Sequence, residues 1–219
     1  MKLSEAIQKY DNGQLLHYLQ KKIKNKEMHK EVMQIMKWSD PIRERSCTSL
    51  QLALYHNKSK EVIYKLIDIG GRELVMVKNS QGETALHKAC WNKNTSFDVI
   101  SKLIEVGGRE LVMELNHYGE TALHKACMNN NVSLDVISKL IQVGGRELVM
   151  VNCLNAGTAL RLACMNKNVS LDVISKLIEV GGRELVMVKG RHGYTALHFA
   201  CCNTNASIDI IAKLISLQN

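Results

Sequence analysis

The heptapeptide Gly-Gly-Arg-Glu-Leu-Val-Met occurs four times, and its copies start 37 residues apart, at Gly70, Gly107, Gly144 and Gly181. The string Thr-Ala-Leu-His keeps the same step at Thr84, Thr121 and Thr195, and it reads Thr-Ala-Leu-Arg at Thr158. A fixed period of roughly 20–50 residues is typical of arrays in which each unit buries its apolar face against its neighbours. The chain is therefore predicted to be a stacked array. Recurring residues should maintain the stacking, and residues that vary should carry any specificity.

A single unit, taken as residues 82–118, has the pattern of two helices. Thr84 can cap a short first helix, which an asparagine-rich stretch ends. Ser96 can cap a second helix, whose apolar residues follow helical spacing. The Gly-Gly pair of the heptapeptide is expected to end that second helix, as glycine commonly does. Each unit is therefore predicted to be a helical hairpin.

The string that opens each first helix resembles the ankyrin-repeat signature Thr-Pro-Leu-His-x-Ala, with Ala in place of Pro. One copy has Arg161 in place of the histidine, and a weaker copy, one residue shorter, begins at Thr48. Residues 3–24 look like a diverged helix pair at the start of the array. The period exceeds the family's usual value of about 33 residues. The resemblance implies an ankyrin array over the whole chain, strongest from residue 47 to residue 219.

The heptapeptide differs from the usual ankyrin connector, and two structures are open for it. A projecting β-hairpin is the usual one in the family. Arg, Glu, Leu and Met are good helix formers, which favours a short helical turn packed under the array.

We therefore predict an all-α fold, an ankyrin-like repeat solenoid of about six stacked helix pairs with short connectors. The chain contains one proline and no linker-like stretch, so residues 1–219 are expected to form a single domain. The predicted divisions are a diverged N-terminal capping unit, four repeats and a C-terminal helix pair, at residues 1–46, 47–83, 84–120, 121–157, 158–194 and 195–219.

The recurring histidines and cysteines are not expected to form a catalytic or metal site. Arg161 interrupts the row of His87, His124 and His198, and the resemblance implies that this histidine hydrogen-bonds turn backbone and ties neighbouring units together. Cysteines at one position of stacked helices would lie roughly 8–10 Å apart, too far for a disulfide, so these are expected to be small buried core residues: Cys90, Cys127, Cys164 and Cys201. Phosphate-binding glycine loops, nucleophile motifs and specific carboxylate pairs are also missing from the sequence. We therefore expect no enzyme, no cofactor and no metal.

Arg and Glu of the heptapeptide recur in every copy and form two charged ladders. Their invariance predicts either ion pairs between units or a solvated edge of the array. Exposed pairs of this kind contribute only about 0–1 kcal/mol each.

The resemblance also implies a partner surface. Ankyrin arrays bind through the concave face made by the turn before each first helix and by the exposed end of that helix. Aromatic, Met and Arg side chains are enriched where proteins meet. Trp91, Met128 and Met165 fall in one file of this face, where they either line a groove or fold back as core. The predicted partner-binding residues are Lys78, Gln81, Glu83, Trp91, His117, Tyr118, Glu120, Met128, Leu154, Met165, Arg191, His192 and Tyr194.

The leading hypothesis is a non-catalytic protein–protein interaction scaffold that binds its partner on the concave face. The alternative is a regulatory repeat module of a larger multidomain enzyme or channel. The last helix favours this alternative, because it is apolar where a terminal unit needs a polar outer face. The same feature predicts self-association through residues 208–217.

Two further classes of partner are not expected. The net charge of +8 would suit nucleic acid or acidic lipid, but no basic stripe with interleaved aromatic residues is present. No apolar run reaches the roughly 18 residues that a membrane span needs. The start of the chain also lacks the apolar stretch of a signal peptide. We therefore expect an intracellular, cytoplasmic protein without membrane insertion.

Overall fold

The computed structural model describes residues 2–22, 27–33, 36–40, 43–131, 133–153, 156–190 and 192–218. The chain divides into two compact units, Met1–Leu111 and Val112–Asn219. Among the described residues, no helix is both long enough and apolar enough to cross a bilayer.

The described residues of the first unit form seven helices and one β-hairpin. In chain order these are α1 (Leu3–Lys9), α2 (Asn12–Lys22), α3 (Glu27–Met33), β1 (Met36–Asp40), β2 (Arg43–Cys47), α4 (Ser49–Tyr55), α5 (Lys60–Met76), α6 (Ala85–Trp91) and α7 (Phe97–Met113). The short helices α4 and α6 pack side by side, and α5 packs against both. Short and long helices therefore alternate along the chain, as the repeat predicts.

The chain starts with the expected helix pair, and an unexpected element follows it. Helix α1 packs on α4 and α2 packs on α5. Leu3, Ala6 and Ile7 of α1 are buried. Strands β1 and β2 then pair antiparallel, with Met36 opposite Cys47. The sequence predicted no strand there, because β2 has only one apolar residue and so lacks the alternation that signals a strand.

The second unit repeats the alternation of short and long helices. Its elements are α8 (Ala122–Met128), α9 (Leu134–Met150), β3 (Asn152–Cys153), β4 (Gly157–Thr158), α10 (Ala159–Met165), α11 (Leu171–Met187), α12 (Ala196–Cys202) and α13 (Ile208–Ser216). Helix α10 packs between α8 and α12, and α11 packs between α9 and α13. First helices thus lie on first helices and second helices on second helices. This is the predicted all-α repeat solenoid.

Helical spacing of apolar residues decides which faces are buried. In α8, Leu123 and Cys127 have no exposed surface, and neither do Ile137 and Leu140 in α9. Full burial of one large aliphatic side chain contributes about 1.5–3 kcal/mol. Because neighbouring helices supply much of this burial, each helix pair is stabilised by the next pair.

The Gly-Gly pair lets the chain end one helical segment and begin another. Gly145 has a φ of 67°, which breaks α9 and leaves a separate helical turn after it. A Cβ on Gly144 would lie 2.5 Å from the Cβ of Leu148, so a larger residue would prevent this close approach. Leu148 and Val149 are fully buried under the repeat. The prediction of a helical connector is confirmed, and the alternative of a β-hairpin is wrong.

The charged ladders of the heptapeptide join consecutive repeats. In the second unit, Nη1 of Arg146 donates to the carbonyl oxygen of Gly181 at 2.8 Å. Nη2 of the same residue lies 2.5 Å from Oε2 of Glu184. Arg72 and Glu110 form the equivalent ion pair in the first unit. The predicted ion pairs between repeats are confirmed, and each arginine also satisfies a carbonyl at the end of the next helical segment.

Candidate partner-binding surface

Three turns and the three helices that follow them form one surface of the second unit. The turns precede α8, α10 and α12, and these helices lie side by side. We call this the turn-and-first-helix surface and define it as the described residues of the ranges 115–128, 152–165 and 189–202, which leaves out residues 154, 155 and 191. Each turn contains a glycine with positive φ, at 76° in Gly119, 77° in Gly157 and 79° in Gly193. Because glycine adopts this conformation without steric cost, the backbone path is maintained while the other turn residues vary.

The first turn is closed by Asn116 over a buried carboxylate. Oδ1 of Asn116 accepts hydrogen bonds from the backbone N–H groups of Tyr118 and Glu120, both at 2.9 Å. Nδ2 of Asn116 donates to Oε2 of Glu120 at 2.8 Å. Nζ of Lys125 donates to the same oxygen at 2.5 Å. We call Asn116, Glu120 and Lys125 the carboxylate triad.

Glu120 stays charged although it is almost completely buried. Only 7% of the residue is exposed. Burial alone would raise the pKa of its carboxyl group, but hydrogen bonds from Lys125 and Asn116, with the charge of Lys125, lower the pKa below its ordinary value. Removal of one member would leave a buried charge without its partner. The carboxylate therefore stabilises the turn.

The first unit contains the same arrangement. Oδ1 of Asn79 accepts from the N–H group of Glu83 at 2.9 Å, and Nζ of Lys88 lies 2.5 Å from Oε2 of Glu83. Only 6% of Glu83 is exposed. The sequence placed Glu83 and Glu120 at partner-facing positions, whereas the structure turns both carboxylates inward to their lysines. Neither carboxylate is therefore available to a partner.

His124 joins the first turn to the second. Its Nδ1 accepts from the N–H group of Thr121 at 3.2 Å and lies 2.8 Å from that residue's Oγ1. Its Nε2 lies 3.1 Å from the carbonyl oxygen of Gly157 in the next repeat, to which it donates as the neutral tautomer. Burial lowers the pKa of His124 from 6.5 to about 4. The predicted structural role is confirmed for this histidine.

Within the ranges that the structure describes, no group of three or more His, Cys, Asp or Glu side chains could hold a metal ion.

The second turn replaces the triad by a short β-ladder. Cys153 pairs with Gly157 across strands β3 and β4, and its thiol donates to the carbonyl oxygen of Gly157 at 3.2 Å. In α10, Leu162 occupies the position that Lys125 has in α8, and it is 6% exposed. The turn glycine is displaced by one residue relative to the other repeats, as the sequence indicates. The carboxylate, its amide partner and its lysine are all absent from this repeat.

The third turn again has no triad and exposes an aromatic ring instead. Gly190, Tyr194 and Phe199 take the three positions of the triad. Arg161, from the preceding repeat, lies with its Cζ 4.2 Å from the centroid of Phe199, a cation–π contact. The rings of Tyr194 and Phe199 meet edge to face, with centroids 6.1 Å apart. We call Arg161, Tyr194 and Phe199 the cation–aromatic cluster.

Apolar side chains on this surface stand in solvent between polar ones. Tyr118 is 52% exposed, Met165 is 49% exposed and Tyr194 is 50% exposed. His117 and His192 are also exposed, and Met128 is half-buried. Met165 and Tyr194 thus do not fold back into the core. Two of the predicted partner-binding residues, Leu154 and Arg191, lie outside the described residues.

The first unit has its own exposed residues at the matching positions. Trp91, at the end of α6, is 51% exposed, Lys78 is exposed and Gln81 is half-buried. Tyr55 is 57% exposed at the end of α4, and the sequence prediction missed it. The signal was present, because Tyr55 follows Thr48 by the same seven residues that separate Trp91 from Thr84.

Three of the four cysteines that recur at one position of the first helices lie in the core. Cys90, Cys127 and Cys164 are buried, and burial raises the pKa of the Cys164 thiol to about 12. Cys201 is exposed, so the expectation of a buried residue is wrong there. The reason is that α12 packs on α10 on one side, whereas no further first helix follows on its other side among the described residues.

Residues 50–148 match the family model described as ankyrin repeats (3 copies). The chain matches no curated protein. Together with the periodic helix pairs, the family match shows that residues 50–148 consist of ankyrin repeats.

Proposed function

We propose that this protein is a non-catalytic scaffold that binds a protein partner on its turn-and-first-helix surface, which corresponds to the concave face of ankyrin arrays. Ankyrin repeats are generally protein–protein interaction modules. The observation that carries the proposal is the exposure of Tyr118, Met165 and Tyr194. These side chains occupy positions that differ between repeats, beside strings that barely change.

Two physical features support binding at these positions. Large aromatic and Met side chains bury much apolar area when a partner covers them, so they commonly dominate binding energy. The turns that carry Tyr118 and Tyr194 are fixed by backbone hydrogen bonds and positive-φ glycines. Binding therefore orders few additional groups, which lowers its entropic cost.

Site-specific photo-crosslinking tests which face the partner contacts. A benzophenone amino acid replaces Tyr118 or Met165 in two variants. Two control variants carry it on second helices, at Leu134 and Glu179, which are also exposed. We expect crosslinked partner mainly from the first two variants in extracts of the source cells. Crosslinking mainly from Leu134 and Glu179 would show that the partner binds the second helices instead.

We also propose self-association through α13. Ile208 and Ile215 on this helix are 74% and 45% exposed. The neighbouring helix α12 carries an apolar groove of about 600 Å³, lined by Tyr194, Leu197, His198, Phe199, Cys201 and Cys202. Sedimentation velocity over a range of concentrations tests the proposal. The sedimentation coefficient should rise with concentration and should stop rising in the double variant Ile208→Glu, Ile215→Glu. A constant coefficient in the unmodified protein contradicts the proposal.

A reducing, cytoplasmic location fits the cysteines. All seven are free thiols in the structure. Rapid alkylation of the protein in intact cells, followed by mass spectrometry, should label the exposed Cys201 and Cys202. Denaturation in the presence of the reagent should then label the buried ones. Disulfide-linked peptides would contradict this location.

A further inference from the structure

We infer that the partner presents an acidic segment with apolar side chains, and that this segment binds the turn-and-first-helix surface of the second unit. The inference rests on the proposed function, and it adds the chemistry of the partner. Charge distribution, burial of the one carboxylate and the placement of exposed rings support it independently.

The described residues of this surface carry more basic than acidic side chains. The described residues of the surface include three basic residues and one acidic residue, namely Lys125, Arg161, Lys189 and Glu120. The second helices with their connectors are residues 134–150, 171–187 and 208–218, and they contain five basic and six acidic residues. The excess of cations therefore does not follow from the general composition of the unit.

The single acidic residue of the surface is not available to a partner. Glu120 is 7% exposed, and its carboxylate accepts from Lys125 inside the turn. Lys189, His117 and His192 are exposed. A partner on this surface thus meets a lysine and imidazole groups but no exposed carboxylate. A basic segment would meet repulsion, whereas an acidic one is attracted during encounter and stabilised after docking.

The exposed apolar side chains of the surface indicate the length of the bound segment and the spacing of its own apolar residues. Tyr118 and Tyr194 lie in turns two repeats apart, and Met165 ends the first helix between them. Neighbouring helices are spaced roughly 8–10 Å apart, which is close to the span of about three residues of extended chain. Crossing the two gaps between the three turns takes about six extended residues, so a segment of about 12 residues covers all three turns with about three residues to spare at each end. We expect its apolar side chains at intervals of about three residues, with acidic residues between them.

The same charge asymmetry is too small for nucleic acid. Of the three described cations, Lys125 is already paired with Glu120, and Arg161 is stacked on Phe199. Nucleic-acid sites neutralise several phosphates at once, and their affinity depends on that number. Half-exposed tyrosine and methionine side chains fit a peptide with apolar residues better.

Selection from a random peptide library tests the inference. Peptides of about 12 residues, displayed on phage, are selected against the immobilised full chain and in parallel against the double variant Tyr118→Ala, Tyr194→Ala. The peptides that bind only the unmodified chain should be enriched in Asp, Glu and large apolar residues over the starting library. Labelled copies of these peptides then provide affinities by fluorescence anisotropy.

A matched pair of charge reversals locates the acidic contact. Lys189→Glu should weaken binding of the selected peptides by about tenfold, or about 1.4 kcal/mol. Lys213→Glu makes the same change of charge on the exposed side of α13 and should leave the affinity within about twofold.

The outcomes separate this inference from the proposed function. Selected peptides that depend on Tyr118 and Tyr194 but show no acidic excess would overturn the inference and leave the proposed surface intact. A selection without any peptide that depends on these tyrosines would overturn both. A labelled single-stranded oligonucleotide that binds more tightly than every selected peptide would also overturn the inference, in favour of nucleic acid.

Discussion

The turn at Asn116 and the turn at Gly190 follow the same backbone path over different side chains. In the first, the N–H group of Asn116 donates to the carbonyl oxygen of Glu120 at 3.0 Å; in the second, Gly190 donates to Tyr194 at 2.9 Å. A positive-φ glycine follows three residues after the start of each turn. The carboxylate triad lies beneath the turn at Asn116, whereas Arg161 and Phe199 lie beneath the turn at Gly190. The backbone thus maintains the turn, and the side chains beneath it are exchangeable.

The three residues of the carboxylate triad are either all present or all absent in a repeat. Two repeats keep Asn, Glu and Lys together, and the other two repeats have none of the three. A buried Glu without its Lys, or the reverse, would be an unpaired charge in the interior, so partial loss is the costly intermediate. Loss of the triad also frees position 194 for an exposed tyrosine. The packing under a turn therefore decides what the turn can offer to a partner.

The largest loss of stability is expected when the link between the first two turns of the second unit is removed. His124→Ala leaves a cavity and removes the partners of Thr121 and Gly157, which should cost about 3 kcal/mol. His198→Ala removes the exposed equivalent in the last repeat, where the cost should stay below about 0.5 kcal/mol. Urea unfolding followed by circular dichroism measures both. Equal losses in the two variants would contradict the assigned link.

Stability should also fall in acid because of His124. Its folded-state pKa of about 4 lies below the ordinary value of 6.5, so the unfolded chain binds a proton first. The contribution is therefore complete above pH 6.5 and decreases as the pH falls towards about 4, by about 3 kcal/mol in the limit. The difference between the unmodified protein and His124→Asn, measured by urea unfolding from pH 7.5 to pH 4, isolates this residue. A difference that does not change with pH would contradict the prediction.

Breaking the carboxylate triad should have a smaller effect. Glu120→Ala leaves Lys125 partly buried without its partner, and we expect a loss of about 2 kcal/mol. Replacing both Glu120 and Lys125 by Leu removes the unpaired charge and should recover part of the lost stability. A leucine, Leu162, already occupies the lysine position in α10. Tyr194→Ala is the control at the same position of the third turn. If thermal unfolding showed that Tyr194→Ala is less stable than Glu120→Ala, the prediction would be contradicted.

The smallest effect is expected for the cation–aromatic cluster. A double-mutant cycle with Arg161→Ala and Phe199→Ala should show a coupling of about 0.5–1 kcal/mol, the range of a partly exposed cation–π contact. Arg161→Lys keeps the positive charge and should retain part of the coupling. A coupling of zero would mean that Arg161 does not stabilise the third turn through the ring.

Most of the fold could be predicted because its determinants are local and recur. Thr84 and its equivalents mark helix starts, the Gly-Gly pair marks the break in each long helix, and the residues after it form helices readily. The ion pair between Arg146 and Glu184 was predictable for the same reason, since both belong to an invariant string. The hairpin of β1 and β2 was not, because it is a single element without a second copy or a clear alternation.

The candidate surface was predictable by position but not by orientation. Counting from the turn glycine places Glu120 at the surface, but the lysine five residues later draws its carboxylate inward. Joint presence or absence of Asn, Glu and Lys across four repeats was the available signal. The contact of Arg161 with Phe199 had no such signal. The two residues are 38 apart, each differs from the residue at its position in the other repeats, and the turn between them gains room because Gly190 has no side chain.

Arg146 and Arg72 each bind the glycine carbonyl of the following heptapeptide, and we call these contacts joints. They have a consequence for how the gene can change. Each joint uses residues that every copy of the heptapeptide contains, so a repeat fits its neighbour whichever copy stands next. Unequal crossing-over that removes or duplicates 37 codons would therefore yield a shorter or longer protein with intact joints. Repeat number can drift between lineages while the joint residues are retained, and binding can diversify without refolding the array.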